Sequence, residues 1–265
     1  MDEIFSKIRK NPIDPIRMNE TARFKFNCHK GIACFNKCCG GLDIFLTPYD
    51  IIRMKNRFKQ TSGQFLLEHT EQVITEKTLL PMIKLKMNED NICRYVSSPD
   101  GCAIYNDRPI SCRYYPIGIG TIDSKDTTSK DVERGNFYFM INEDHCMGFN
   151  EDKNQNIQQW RIDQEISDYD EINKDWVKLI LNRKMAGSEV IPDEKSIRMF
   201  FIGCYDIDSF KNFVFESKFL TLFNVESDLI ERLKSDDVTA LKLALKWLLY
   251  ALFREPTMNL KKPTP

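Results

Sequence analysis

The stretch CHKGIACFNKCCGG, residues 28–41, puts four cysteines into twelve residues, two of them adjacent, and ends on a glycine pair. Its reading governs the fold of the front of the chain. Four uses of such a cluster are open: disulfide bridges, a metal centre, catalysis or plain core. Cys38 and Cys39 resist the first. Neighbouring α-carbons lie about 3.8 Å apart across a trans peptide, below the roughly 4.4–6.8 Å that an ordinary disulfide spans. The nine cysteines in the chain are an odd number and about 3% of 265 residues, far from the density of a disulfide scaffold. The opening MDEIFSKIRKNPIDP has no signal-peptide apolar core. In a reducing cytoplasm, where we expect this protein, clustered thiols ligate metal or act in catalysis.

Working outward, the cysteines stay together. Eight lie at 28, 34, 38, 39, 93, 102, 112 and 146, and only Cys204 falls in the last 119 residues. Cys204 follows Ile197, Phe200 and Phe201 at helical spacing and reads as core. The other eight sit among His, Lys, Asn, Asp and Gly, which do not make a core. Two spaced groups result: C-x5-C-x3-C-C, then C-x8-C-x9-C in CRYVSSPDGCAIYNDRPISC (93–112), with HC at 145–146 following. That arithmetic suits two tetrathiolate zinc sites, two Fe–S clusters, or one site with bystanders. Sulfur donors select zinc, cuprous copper or Fe–S over magnesium or calcium. Lys37, Arg94, Arg108 and Arg113 are placed in sequence to offset thiolate charge, and His29 and His145 each adjoin a cluster cysteine as alternative ligands.

The patch IYNDRPISCRYYP (104–116) is open to two readings. Tyr105, Asp107, Arg108 and Arg113 could support the centre, with arginine N–H groups on sulfur or a substrate carboxylate and a tyrosine as proton donor. They could equally form an Asp–Arg turn edged by tyrosines, since Pro109 holds Arg108 extended.

Elsewhere the chain is ordinary: 42% hydrophobic, 29% charged, with 38 Lys plus Arg against 39 Asp plus Glu and a net charge of −1. No general grip on nucleic acid is expected. The longest apolar run, LKLALKWLLYALF (241–253), is too short for a bilayer. In LTPYDIIRMKNRF, Thr47 is placed as N-cap, Pro48 as first helical residue and Asp50 in the first turn. TSGQFLLEHTEQVI is expected as a second helix starting at Thr61 or Ser62, with Phe65, Leu66 and Val73 on its apolar stripe and His69 at the surface or its boundary. MIKLKM (82–87) and NFYFMI (136–141) read as strands, and SPDG (98–101) as a turn. From about 155 helical spacing dominates: one or two helices end near Gly187, another carries Phe200 and Cys204, and a last one, capped by Ser235 or Asp236, is apolar nearly all round and so buried. The expectation is a mainly α protein with a small β element: an irregular, metal-stapled cysteine region at 1–154 and a helical region at 155–265 packed on it, with a loose C-terminal tail.

No Walker loop, G-x-G-x-x-G, H-E-x-x-H or G-x-S-x-G occurs. The segments FNCHKGIACFNKCCGGLDIFLTPYDIIRMK and CRYVSSPDGCAIYNDRPISCRYYP together resemble the zinc- or iron-chelating cysteine-cluster domains of the CxxCxxCC type. The shared pattern is a C…C…CC opening, an LTPYDI helix start, then C…GC-IY-DRP and CR-YP, over roughly residues 26 to 120 with Cys146 as last member. The resemblance implies chelation of zinc or iron, as a mononuclear site or an Fe–S cluster. Some relatives are described as flagellin lysine methylases, so it also admits a metal-dependent methylase or redox enzyme. A third reading is a metal-responsive module whose helices at 197–253 bind a protein partner.

Overall fold

The computed structural model describes residues 12–97, 99–122, 135–187 and 189–261. Ser98 of the expected turn, the first eleven residues and the last four lie outside them. Along the chain run β1 (Arg23–Lys25), β2 (Phe45–Leu46), α1 (Pro48–Phe58), α2 (Ser62–His69), β3 (Thr70–Ile74) and β4 (Pro81–Leu85). Next come β5 (Val96–Ser97), β6 (Gly101–Cys102), α3 (Ile110–Tyr114), β7 (Ile117–Ile122), β8 (Gly135–Met140) and β9 (Asn154–Asn156). Seven helices complete it: α4 (Ile157–Asp163), α5 (Ile166–Met185), α6 (Glu194–Cys204), α7 (Ile207–Glu216), α8 (Phe219–Leu222), α9 (Ser227–Ser235) and α10 (Asp237–Phe253). With 48% of the described residues helical and 17% in strands, the protein is mainly α with small antiparallel sheets, as its sequence led us to expect.

Contacts group these elements into two units, each discontinuous in sequence. The first, here the cysteine unit, takes the described part of Met1–Leu42 with Asn91–Ala103 and Ser111–Ser167. The second, the helical unit, takes Asp43–Asp90, Ile104–Ile110 and the described part of Asp168–Pro265.

In the cysteine unit β1 pairs with β9, β5 with β6 and β7 with β8, all antiparallel. Its core is aromatic. Phe26 meets Trp160, Phe149 and Tyr115 edge-on at 5.6, 5.2 and 6.2 Å, and Trp160 Nε1 donates to the Arg113 carbonyl at 3.2 Å. The β7 strand IGIGTI has glycine where a strand usually wants a side chain. Gly118 and Gly120 face Phe139 and Phe137 directly across the pair, and a Cβ on either would lie 2.2 or 2.4 Å from those rings. The phenylalanines of β8 fill the space the glycines leave, which offsets their weak strand propensity.

The helical unit starts as its sequence dictates. Thr47 caps α1 with a reciprocal capping box to Asp50, and Pro48 occupies the first turn. Asp50 is fully buried and also accepts the Ile110 N–H at 2.8 Å. Thr61 caps α2 in the same way with Gln64. The second helix stops at His69, however, and residues 70–74 form β3, paired with β4 and extending the β2-β4-β3 sheet. Val73, expected on a helical stripe, is half exposed on that strand. Thr70, Val73 and Ile74 are β-branched, and pairing with β4 outweighs the helical spacing. α10 supplies the main core, burying Leu241, Leu245, Trp247 and Leu248 among others. Trp247 packs against the rings of Phe210, Phe213 and Phe219 at 5.8, 5.0 and 6.1 Å. Gly203 lets α6 approach α10, because a Cβ there would stand 2.8 Å from Leu248. Cys204 is buried as expected. The tail is not loose as far as it is described: Phe223 bridges to Leu260, and the Lys261 N–H donates to the Leu222 carbonyl at 2.8 Å. Among the described residues no helix is long and apolar enough to cross a membrane.

Candidate metal centre

The cysteines of the 28–41 loop are brought together by backbone turns, not by apolar packing. Phe35 N–H donates to the Ile32 carbonyl and Lys37 N–H to the Cys34 carbonyl, at 3.0 and 2.9 Å. Asn36 takes the left-handed conformation (φ 69°) that starts a single 3-10 turn over Lys37–Cys39. Cys146 stands at the head of another 3-10 turn, Met147–Asn150, and the Met147 N–H donates to Cys34 Sγ at 3.1 Å. Five sulfurs share this neighbourhood. Cys28 feels the charges of Cys34, Cys38 and Cys146, and the Cys38 thiol is hydrogen-bonded to that of Cys39.

The second stretch joins the first through the backbone. Cys93 N–H donates to the Cys39 carbonyl at 2.7 Å, and Gly40 bridges to Ile92. Cys102 lies in β6 and couples to Cys93. Cys112 sits in α3, partly exposed. All nine cysteines are free thiols, and the eight clustered ones belong to the cysteine unit.

At Cys28, Cys38, Cys93 and Cys146 the surroundings oppose ionisation. Burial and the three neighbouring thiols push Cys28 from its ordinary value of 9.0 up to about 11. Cys28 is exposed as a residue, so its sheltering is only partial. The bond with Cys39, then burial and Glu143, push Cys38 far higher. Burial also raises Cys146, opposed by the Tyr115 hydroxyl and the Gly148 N–H, and Cys93, opposed by the Tyr95 and Val96 N–H groups and then by Arg94. Burial raises Cys204 as well, in its apolar surroundings. Crowded thiols resist becoming crowded thiolates unless a cation joins them.

Two residues of the site escaped the sequence reading. The buried Tyr115 hydroxyl faces Cys146 and Glu143, and burial, first, then these two neighbours hold its proton on. Glu143 lies three residues before Cys146, whose N–H donates to its carbonyl at 2.8 Å; that turn spacing was the one signal available.

The DRP patch divides. Asp107 pairs with Arg53 and Arg57 of α1, at 2.7 and 3.2 Å. Arg108 lies 3.8 Å over the Tyr105 ring and donates to the Tyr105 carbonyl at 2.5 Å. Those three belong to the helical unit, while Arg113 belongs to the cysteine unit, where its buried guanidinium holds the Gln164 carbonyl and Glu165 at 2.9 and 3.0 Å. The ion pairs of Asp107 tie down α1. His29 pairs with Glu151 at 3.2 Å and His145 with Glu143 at 3.6 Å. His69 is stacked on Phe58 and Phe65 at 5.0 and 5.1 Å, at the edge of the core.

Among the described residues, no three His, Cys, Asp or Glu side chains already close on a point where a metal ion would sit. The donor chemistry nevertheless fits zinc or iron: unbridged thiols gathered from separate stretches and an N–H aimed at one sulfur. Nothing among curated proteins or solved structures matches the chain. Residues 27–146 match the model of the family described as "Putative zinc- or iron-chelating domain", CxxCxxCC. That span contains the eight clustered cysteines, so it is over residues 27–146, somewhat under half of the chain, that the sequence is similar to this family.

Proposed function

We propose that this protein chelates zinc or iron with its clustered thiols and that the bound centre organises the cysteine unit. The observation that carries the reading is the gathering of Cys28, Cys34, Cys38, Cys39 and Cys146 into one electrostatic neighbourhood, all of them unbridged. Cys93 and Cys102 form a neighbouring pair, and with Cys112 they complete the donor set. The metal, when bound, supplies positive charge and cross-links. The chain's own part is to release the thiol protons, to turn the 28–41 loop so that its sulfurs converge, and to offer N–H groups such as that of Met147 to them. Nine free thiols suit a reducing compartment such as the cytoplasm.

The test is anaerobic purification followed by metal analysis, an absorption spectrum and melting before and after chelation. Stoichiometric zinc in a colourless protein, or iron with visible sulfur-to-iron absorption, supports the reading and names the metal. Neither metal in stoichiometric amount, with melting unchanged by chelator, overturns it.

A further inference from the structure

The helical unit carries a feature independent of the thiols. A cavity of about 380 Å³ is lined by Arg183 and Ala186 at the end of α5, Val190 and Ile191 beyond it, Phe200 of α6 and Phe253 of α10. That is within the usual size range for a small-molecule site. Its wall is largely apolar, and Val190 and Ile191 are 57% and 78% exposed at its rim.

Arg183 is the anomaly. Only 5% of it is exposed. Nη1 donates to the Gly187 carbonyl at 2.9 Å and Nη2 to the Val190 carbonyl, while Nε is buried with no hydrogen bond. Both partners are neutral, and among the described residues no carboxylate pairs with the guanidinium. The C-terminal end of α5 offsets about half a charge at most. Asp193 also lines the cavity, but its carboxylate caps α6 by accepting the Ser196 N–H at 2.6 Å. A guanidinium cannot shed its proton to escape burial, so an unpaired one in an apolar wall calls for an anion.

We propose that this cavity binds a small monocarboxylate with an apolar body, its carboxylate meeting Arg183 and its hydrocarbon lying against Phe200, Ile191 and Phe253. One positive charge without a carboxylate partner matches one negative charge, and the apolar part of the wall matches hydrocarbon.

Calorimetric titration of the full chain with octanoate and with octan-1-ol tests this. Octanoate binds about tenfold tighter than the alcohol, the difference expected of a charge-assisted bond to a buried guanidinium. Arg183→Gln brings octanoate down to the level of the alcohol and leaves the alcohol unchanged. Ala186→Phe, at an exposed position that leaves Arg183 in place, excludes both; it and the octanoate–octanol comparison decide the matter if the arginine variant does not fold. Equal binding of the two ligands, or octanoate binding unaffected by Ala186→Phe, overturns the proposal. So does tighter binding of a short apolar peptide through its C-terminal carboxylate, which would assign the cavity to a peptide.

Discussion

The two units are held by different physics. α10 of the helical unit buries residues on almost every face and packs Trp247 among three phenylalanines. In the cysteine unit, Cys34 is the single buried residue between Cys28 and Leu42. The first gains its stability from apolar area, worth roughly 25 cal/mol per Å². The second has its aromatic core around Phe26 and Trp160, but its 28–42 loop orders polar backbone with no comparable hydrophobic return. The difference teaches where a metal would matter. Cross-links add most where a core adds least, as in small metal-organised domains.

Substitutions can break or sharpen that contrast. The largest effect belongs to the apolar core: Phe210→Ala, fully buried, should cost about 3–5 kcal/mol in urea unfolding while leaving metal content per folded chain unchanged. Asp50→Ala removes the α1 capping box and the acceptor for Ile110. It should cost about 2–3 kcal/mol by the same measurement, again without metal loss. Asp107→Asn breaks partly exposed pairs with Arg53 and Arg57 and should cost about 1 kcal/mol or less. Metal loss in that variant would return the DRP patch to the centre.

The smallest effect is a pH asymmetry. Burial works to raise the Asp237 carboxyl, but bonds from Lys211 and Lys55 outweigh it and hold the group below its ordinary 3.8. Its stabilisation is therefore complete above that value and is lost as pH falls through the folded-state value. Cys28 is shifted the other way, from 9.0 to about 11, so the metal-free cysteine unit is favoured below pH 9.0 and loses that contribution as pH climbs towards 11. Exchange of individual amides against pH should show the helical unit loosening first in acid and the metal-free cysteine unit first in alkali. Bound metal should remove the alkaline limb, since it holds sulfur as thiolate.

Local chemistry was legible in the sequence and distant chemistry was not. Thr47, Pro48 and Asp50 specify a helix start within four residues, and the apolar run 241–253 specifies burial by composition alone. The segment 70–74 was misread because Val73 continues a helical spacing, while its strand partner lies at 81–85. β7 was invisible because alternate glycines mask a strand whose cross-strand neighbours, Phe137 and Phe139, come from another segment. The thiols announced themselves by number and spacing. Tyr115 and Glu143 did not, since a single tyrosine or glutamate carries no signal until folding sets it beside sulfur. The interleaving of the two units is likewise silent, for a chain that leaves a unit at Leu42 and returns at Asn91 marks neither point by composition.

Hydrogen exchange of the intact chain, metal-loaded and then chelated, followed peptide by peptide, puts the central contrast to the most direct test. Amides at 28–42 and 91–97 are expected to lose protection when the metal is withdrawn while those of 237–253 keep theirs. Identical exchange at 28–42 with and without metal, or equal loosening of 237–253, would contradict it.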